Sequence, residues 1–330
     1  MKFYCLKCKK EYPLNGLDYK CECGGLFRLK KGNEEKVDIE ISLGEVRTPI
    51  IMKEIEGVKL HLKFDYLMPT GSFKDRGALV LINALKQLGI TEIVEDSSGN
   101  AGASIAAYCA AAKIKCNIYI PENTSEGKIK QIKAYGARVI RIPGTRDDTA
   151  NRVLEAARNI YYASHVYNPL FFEGTKTIAY EIYEQIGVPD FIFSPVGNGT
   201  MLLGIYLGFS EIGKLPRIIG IQSGNCCPVY NKFYGKEDME VRSTLAEGIA
   251  VKKPARIDEI IDAVKESEGD MVKVTEDEIN EFYKLLGRMG IYVEQTAAAV
   301  IAGAVKYCKE NSIAENMVKV APLTGTGLKK

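Results

Sequence analysis

The stretch that decides the fold runs from Ile93 to Ile142 and reads IVEDSSGNAGASIAAYCAAAKIKCNIYIPENTSEGKIKQIKAYGARVIRI. Its apolar runs are short at 93–94, 116–120 and 137–142, and helix-like at 101–112 and 126–135, so strand and helix alternate twice over. Strands that alternate with helices of this length are joined as crossovers and lie parallel. Moving outward, 147–160 places Val153, Leu154, Ala157 and Ile160 on one helix face. Upstream, a strand at 59–64 precedes a helix at 78–88. Downstream, a second series follows: helix 175–186, strand 191–193, a Gly-rich turn, a helix from 201, strand 217–222, helices 276–286 and 295–309, and strand 317–321. The pattern predicts an α/β protein with largely parallel sheets and flanking helices, without internal repeats.

The chain has 330 residues, 46% hydrophobic and 26% charged, enough for two cores of ordinary size. Its 44 basic and 42 acidic side chains leave a formal charge of +2, which excludes a global field that would draw it to nucleic acid or an anionic membrane. Small molecules are the expected partners. The uncharged, alanine-rich stretch 101–112 is too short to span a bilayer. The opening Met1-Lys2-Phe3-Tyr4-Cys5 lacks the apolar core of a signal peptide, so the expected location is the cytoplasm.

Nine cysteines are an odd number, and four fall within the first 23 residues, a poor plan for a disulfide scaffold. Cys109, Cys116 and Cys308 sit in apolar periodic segments and read as core. Cys5-Leu-Lys-Cys8, followed after twelve residues by Cys21-Glu-Cys23-Gly24-Gly25, reads as two knuckles that aim four thiolates at one structural Zn²⁺, or as its degenerate remnant. A module of about 30 residues buries too little core to fold alone, so the metal substitutes for it. Residues 1–36 are assigned to this ribbon, a peripheral module joined by a polar linker at 30–36. It is basic but lacks aromatics or arginines at base-reading spacing, which argues against nucleic acid.

Four further motifs carry chemistry. Pro69-Thr70-Gly71-Ser72-Phe73-Lys74-Asp75-Arg76-Gly77 places a lysine at a strand-to-helix junction, where partial desolvation suits Schiff-base formation. Asp96-Ser97-Ser98-Gly99-Asn100-Ala101-Gly102 follows a strand and opens a helix, offering hydroxyls and free N–H groups to a carboxylate, or simply capping the helix. Ser194-Pro195-Val196-Gly197-Asn198-Gly199-Thr200 can wrap an anion with consecutive N–H groups. It is not a dinucleotide fingerprint, because the third glycine is missing. Leu323-Thr324-Gly325-Thr326-Gly327-Leu328 supplies hydroxyls after the last strand, where sheet ligands bind, or is a loose tail.

In this order, Lys74, the Asn loop, the glycine cup and the terminal Thr loop resemble the β-family (fold type II) of pyridoxal-phosphate enzymes over nearly the whole chain. Within that family the chain looks most like the threonine synthases. Asn168-Pro169 with Glu173-Gly174, Lys176-Thr177, and the N-terminal cysteine ribbon add to the likeness. The resemblance implies a tryptophan synthase β-like fold of two subdomains, a large cofactor-binding one from 46–80 and 166–330 and a small substrate-closing one from 81–165. It also implies that Lys74 carries the cofactor covalently and then moves protons, that Asn100 bonds its phenolic oxygen, and that Val196, Gly197, Asn198, Gly199 and Thr200 hold its phosphate. Thr324 would face the pyridine nitrogen. Ser97, Ser98 and the backbone of Asn100 and Ala101 would bind the substrate carboxylate. The implied activity is a lyase that turns O-phosphohomoserine and water into threonine and phosphate, and the candidate partners are a phosphorylated amino-acid substrate and a second copy of the chain in a homodimer.

The departures concern the substrate. An arginine that helps bind substrate phosphate in many threonine synthases is replaced within Leu170-Phe171-Phe172, and Lys63 is a candidate to supply that contact as a point charge, or is a solvated strand lysine. The stretch 244–254 looks more like serine/threonine dehydratases. A dehydratase or a β-replacement synthase, such as a cysteate or cysteine synthase, is therefore the first rival. A zinc-ribbon binding protein on an inactive scaffold is the second.

Overall fold

A computed structural model of the protein describes residues 1–32, 35–237 and 240–329. Asn33 and Glu34, in the middle of the expected linker, lie outside the described residues. The chain divides into two compact units, one made of Met1–Glu45, Lys74–Gly174 and the C-terminal tip at Lys329, the other of Val46–Phe73 and Thr175–Leu328.

In the first unit, four strands in the order Arg138–Ile142, Lys115–Pro121, Glu92–Glu95 and Tyr161–Tyr162 run parallel throughout. The crossover helices are Asn100–Ala112, Glu126–Ala134 and Arg146–Ala156. Asn100–Ala112 is buried almost all round, which its run of alanines permits. Arg146–Ala156 starts where the Thr145 hydroxyl and the Asp148 carboxylate cap each other's backbone N–H groups. The helix Lys74–Gln87 belongs to this unit and begins at Lys74, four residues before the expected start at Ala78. Gly77 and Gly174 explain its close seat: a Cβ on Gly77 would lie 2.2 Å from the Phe171 ring, and one on Gly174 would lie 1.9 Å from the Arg76 carbonyl oxygen.

The cysteine ribbon is a three-stranded antiparallel sheet of Glu11–Tyr12, Lys2–Cys5 and Phe27–Lys30. It is not the peripheral module expected from sequence. Phe3, Tyr12 and Phe27 join the same buried cluster as Leu81, Ile105, Tyr108 and Tyr161, and the Tyr161 hydroxyl donates to the Leu14 carbonyl at 3.1 Å. A fragment with too little apolar surface for its own core has borrowed one.

In the second unit, six strands lie in the order Asp270–Val274, Arg217–Ser223, Phe191–Pro195, Lys319–Pro322, Val58–Lys63 and Ile50–Ile55. Only the last pair is antiparallel, a hairpin whose two turn residues, Glu56 and Gly57, both have positive φ as a type I′ turn requires. The helix Gln295–Glu310 lies on this sheet along a face of Ala297, Ala298, Ala302 and Gly303. A Cβ on Gly303 would sit 2.6 Å from Ile221, so small residues set the approach. Among the described residues, no helix is long and apolar enough to cross a membrane.

Candidate active site

In the first unit, Lys74 opens its helix, and its Nζ lies 5.9 Å from the centre of the buried Phe171 ring. The neighbouring Asp75 is fully buried and accepts from the Ser104 hydroxyl at 2.6 Å, which fixes the start of the Lys74 helix against the helix that follows the Asn loop. That loop is drawn tightly onto its own helix. A Cβ on Gly102 would fall 1.8 Å from the Ser97 carbonyl oxygen, so only glycine fits there. Ser97 and Ser98 are half-buried beside the first N–H groups of the helix at Asn100 and Ala101, groups that have no intrahelical acceptor. Lys329 donates to the Asn100 side-chain oxygen at 2.8 Å, so the donor of that side chain is its Nδ2. The pairing of Lys329 with Asn100 and the orientation it sets were not legible in the sequence.

The same unit holds a buried acidic cluster that sequence reading missed. Glu95 ends its strand fully buried, and its Oε1 lies 2.6 Å from Nδ1 of His165. Its Oε2 has no hydrogen-bond partner among the described residues. Burial, reinforced by the adjacent Asp96, pushes the Glu95 carboxyl well above the usual carboxylate range. Burial, with the positive charges of Lys74 and Arg146, holds His165 well below the usual imidazole value. Asp96 accepts from the Tyr162 hydroxyl at 2.6 Å and from the Arg146 guanidinium at 2.9 Å.

In the second unit, the turn between Phe191–Pro195 and the helix Thr200–Ile212 makes the glycine cup. Gly199 has φ +77°, and a Cβ on Gly197 would come 3.1 Å from Ile249 Cα. The N–H groups of Gly197, Asn198 and Gly199 donate no hydrogen bond among the described residues. Thr200 Oγ1 is buried and equally without a partner. Unpaired donors of this kind at the start of a 13-residue helix fit a phosphate group. Val196 does not belong to that set: its N–H donates to the Ile221 carbonyl at 2.9 Å, and its carbonyl accepts from Gln222 at 3.0 Å. The sheet has claimed both of its polar groups.

Gly248, Ile249 and Val251, from the 244–254 stretch, wall the cup at Gly197. Gly248 N–H donates to Thr296 Oγ1 at 3.1 Å, and Glu294 N–H to the Gly325 carbonyl at 2.9 Å. This connects the cup to the terminal Thr loop, which is ordered rather than a loose tail. Thr324 is 3% exposed, and its carbonyl accepts from the N–H of Phe73, the residue before Lys74.

Lys63 is the clearest correction. It is fully buried, and its ammonium donates to the Thr48 carbonyl at 2.7 Å, Glu181 at 2.6 Å and Gln185 at 2.9 Å. An ammonium has three N–H donors, and three acceptors account for them, so none is left for a substrate phosphate. Removing it should therefore cost stability rather than substrate affinity. Lys63→Ala is expected to lower the unfolding free energy by about 3–5 kcal/mol, because Glu181 keeps a largely buried charge without its partner. A denaturant titration that shows no loss would contradict this.

The four ribbon cysteines come together. Their sulfurs all lie within 4.8 Å of one another, with Cys5 to Cys23 at 3.5 Å and Cys8 to Cys21 at 3.4 Å. A tetrahedral ion with Zn–S bonds of about 2.3 Å separates its sulfurs by about 3.8 Å, so the donor set and its size fit a closed four-thiolate site. A Cβ on Gly25 would lie 2.4 Å from the Cys5 sulfur.

The model of the pyridoxal-phosphate dependent enzymes matches residues 41–325. Threonine synthase of Methanocaldococcus jannaschii is 35% identical over 98% of this chain and 92% of its own length. Threonine synthase of a Bacillus species is 35% identical over 90% of this chain and 86% of its own. Among solved structures, threonine deaminase isoform 2 from Solanum lycopersicum superposes with a TM-score of 0.76 at 25% identity, covering 85% of this chain and 79% of that one. Serine racemase from Dictyostelium discoideum gives 0.73 at 26% identity, covering 86% and 92%. With a lysine-bearing helix start, an anion cup lined by unpaired donors and this breadth of likeness, the chain belongs to the family of pyridoxal-phosphate dependent enzymes.

Proposed function

We propose that the protein is a threonine synthase, a cytoplasmic lyase that converts O-phosphohomoserine and water to threonine and phosphate. The observation that carries this reading is the 35% identity to the Methanocaldococcus enzyme over 98% of the chain, a span that leaves no room to omit the cysteine ribbon. In this reading Lys74 carries pyridoxal phosphate covalently. Gly197, Asn198, Gly199 and Thr200 hold its phosphate, Asn100 donates to its phenolic oxygen, and the hydroxyl of Thr324 faces its ring nitrogen. When bound, the cofactor supplies a sink for the electron pair left at Cα.

The protein's own residues do the rest. Ser97, Ser98 and the N–H groups of Asn100 and Ala101 would bind the substrate carboxylate and fix Cα near Lys74. Lys74 would then take and return the Cα proton. A threonine hydroxyl at the ring nitrogen, unlike a carboxylate, does not favour its protonation, which weakens the sink and favours elimination and replacement. The ribbon thiolates would hold one zinc ion as a structural part of the first unit.

The deciding experiment incubates the holoenzyme with O-phosphohomoserine and follows products by phosphorus and proton NMR. Phosphate and threonine in equal amounts are expected. The likeness to the tomato threonine deaminase and the phenylalanine in place of the usual arginine favour one rival, the dehydratase. Formation of 2-oxobutyrate from threonine, with no phosphate from O-phosphohomoserine, would establish it.

A further inference from the structure

The Glu95–His165 pair has a build that packing alone does not require. One carboxyl oxygen is spent on Nδ1 at 2.6 Å, the other is buried without a partner, and Nε2 of His165 makes no hydrogen bond among the described residues. His165 lies edge-on to Phe171 with ring centres 6.1 Å apart, and the same Phe171 ring has Lys74 Nζ 5.9 Å from its centre. The imidazole thus shares an aromatic neighbour with the lysine that opens the site. Around the pair stand Asp96, Arg146, Lys74 and Cys116.

We propose that His165 is a second proton-transferring residue of this site, held at Nδ1 by Glu95, with Nε2–H delivering a proton to the oxygen that leaves from the substrate side chain. Glu95 is its positioning residue and proton store. The inference rests on the threonine synthase reading, in which the leaving group is phosphate.

The proton count balances: the proton that Cβ gives up as the Cγ–O bond breaks would be carried by Lys74 to Cγ, so the carbon chain takes no net proton from the pair. In the resting pair one proton lies between Oε1 and Nδ1 and another on Nε2, whichever side of the short contact the first one takes. As the Cγ–O bond breaks, its electron pair stays on the oxygen, which takes the Nε2 proton. The shared proton then settles on Nδ1, and Glu95 is left as a carboxylate. The water that adds at Cβ gives its hydroxyl to carbon and its remaining proton back to Nε2, and the shared proton returns to its place. A phosphate that leaves without a proton would carry one more negative charge into a cluster that already holds two acidic side chains. General acid assistance removes that charge as it forms.

The test compares wild type, His165→Gln and Glu95→Gln as holoenzymes. Three readouts are taken: fixation of the cofactor on Lys74 by borohydride, exchange of the Cα hydrogen of O-phosphohomoserine in D₂O, and phosphate release. Both variants should keep the fixation and change exchange by no more than about threefold, while phosphate release falls by about 10²-fold or more, in line with the loss of a general acid. Glu95→Gln is the sharper variant. Its amide can still donate to Nδ1 and hold the ring, but it has no carboxyl proton to give, so a purely structural role would leave phosphate release intact. It also serves if His165→Gln does not fold. Phosphate release at the wild-type rate in Glu95→Gln, or exchange and release falling together in both variants, overturns the proposal. A wild type that exchanges but releases no phosphate overturns the threonine synthase reading, and this inference with it.

Discussion

Lys74→Ala is expected to lose turnover by at least about 10⁴-fold, because in the proposed function one substitution would remove both the covalent attachment of the cofactor and the base at Cα. Cofactor binding should survive in a weaker, non-covalent form. The phosphate cup lies in the second unit, and its unpaired Gly197, Asn198 and Gly199 N–H groups and Thr200 hydroxyl do not depend on the lysine. Borohydride should therefore fix the cofactor onto the peptide containing Lys74 in wild type and onto no peptide in the variant. Wild-type activity in Lys74→Ala would remove the central assignment.

The second large effect concerns the ribbon. A zinc ion held by the four thiolates, as proposed, would contribute ~10–16 kcal/mol if it matched isolated zinc fingers, comparable with the whole net stability of a domain. Cys5→Ser with Cys21→Ser, or prolonged chelation, should thus release the three short strands and uncover Phe3, Tyr12 and Phe27. Those rings belong to the core of the first unit, and Tyr161, which donates to Leu14, also accepts from Asn168 at 2.9 Å. The loss should therefore extend beyond the ribbon: the first unit melts at a lower temperature, and segments near Tyr161 and Asn168 exchange their amide hydrogens faster. Metal analysis should find about one zinc per chain. A melting temperature unchanged by the double substitution would mean that the thiols hold nothing of structural weight.

The sequence made the crossover run legible because Ile93, Ile118 and Ile140 sit in short apolar segments separated by helix-length runs bounded by turn residues such as Gly99, Ser125 and Gly136. Asn100–Ala112 and Arg217–Ser223 are found within about two residues of their expected ends, the usual uncertainty of such boundaries. The strands Ile50–Ile55 and Asp270–Val274 at the two edges of the larger sheet were not anticipated. Ile50–Ile55 exposes four consecutive side chains, and the short Asp270–Val274 alternates imperfectly, so neither carries a full strand signal. The helix Ile257–Glu266, by contrast, buries Ile260, Ile261 and Val264 on one stripe and could have been read from its spacing.

At the site, glycines and hydroxyls in local motifs were readable because backbone geometry there depends on neighbours in sequence. Side-chain partnerships across long separations were not. Lys63 reads in the sequence as an available cation, but Glu181 and Gln185, more than a hundred positions away, accept its hydrogen bonds. Glu95 and His165 are 70 positions apart and belong to no common motif.

The order of strands in the larger sheet has a bearing on how the protein is made. Lys319–Pro322 lies between Phe191–Pro195 and Val58–Lys63, so the sheet is missing an interior member until residues 319–322 have been synthesised. About 250 residues separate Lys63 from Lys319, and at about 5–20 residues per second the early hairpin waits roughly 13–50 s for its neighbour. The first unit has all its strands once Tyr162 has been synthesised, and its core, which Leu170 and Phe171 complete, can close long before Lys319–Pro322 is made. Until Lys319–Pro322 arrives, Val58–Lys63 and Phe191–Pro195 each carry an unsatisfied edge of apolar residues. During translation those edges, more than any surface of the finished enzyme, are where a chaperone would have to act.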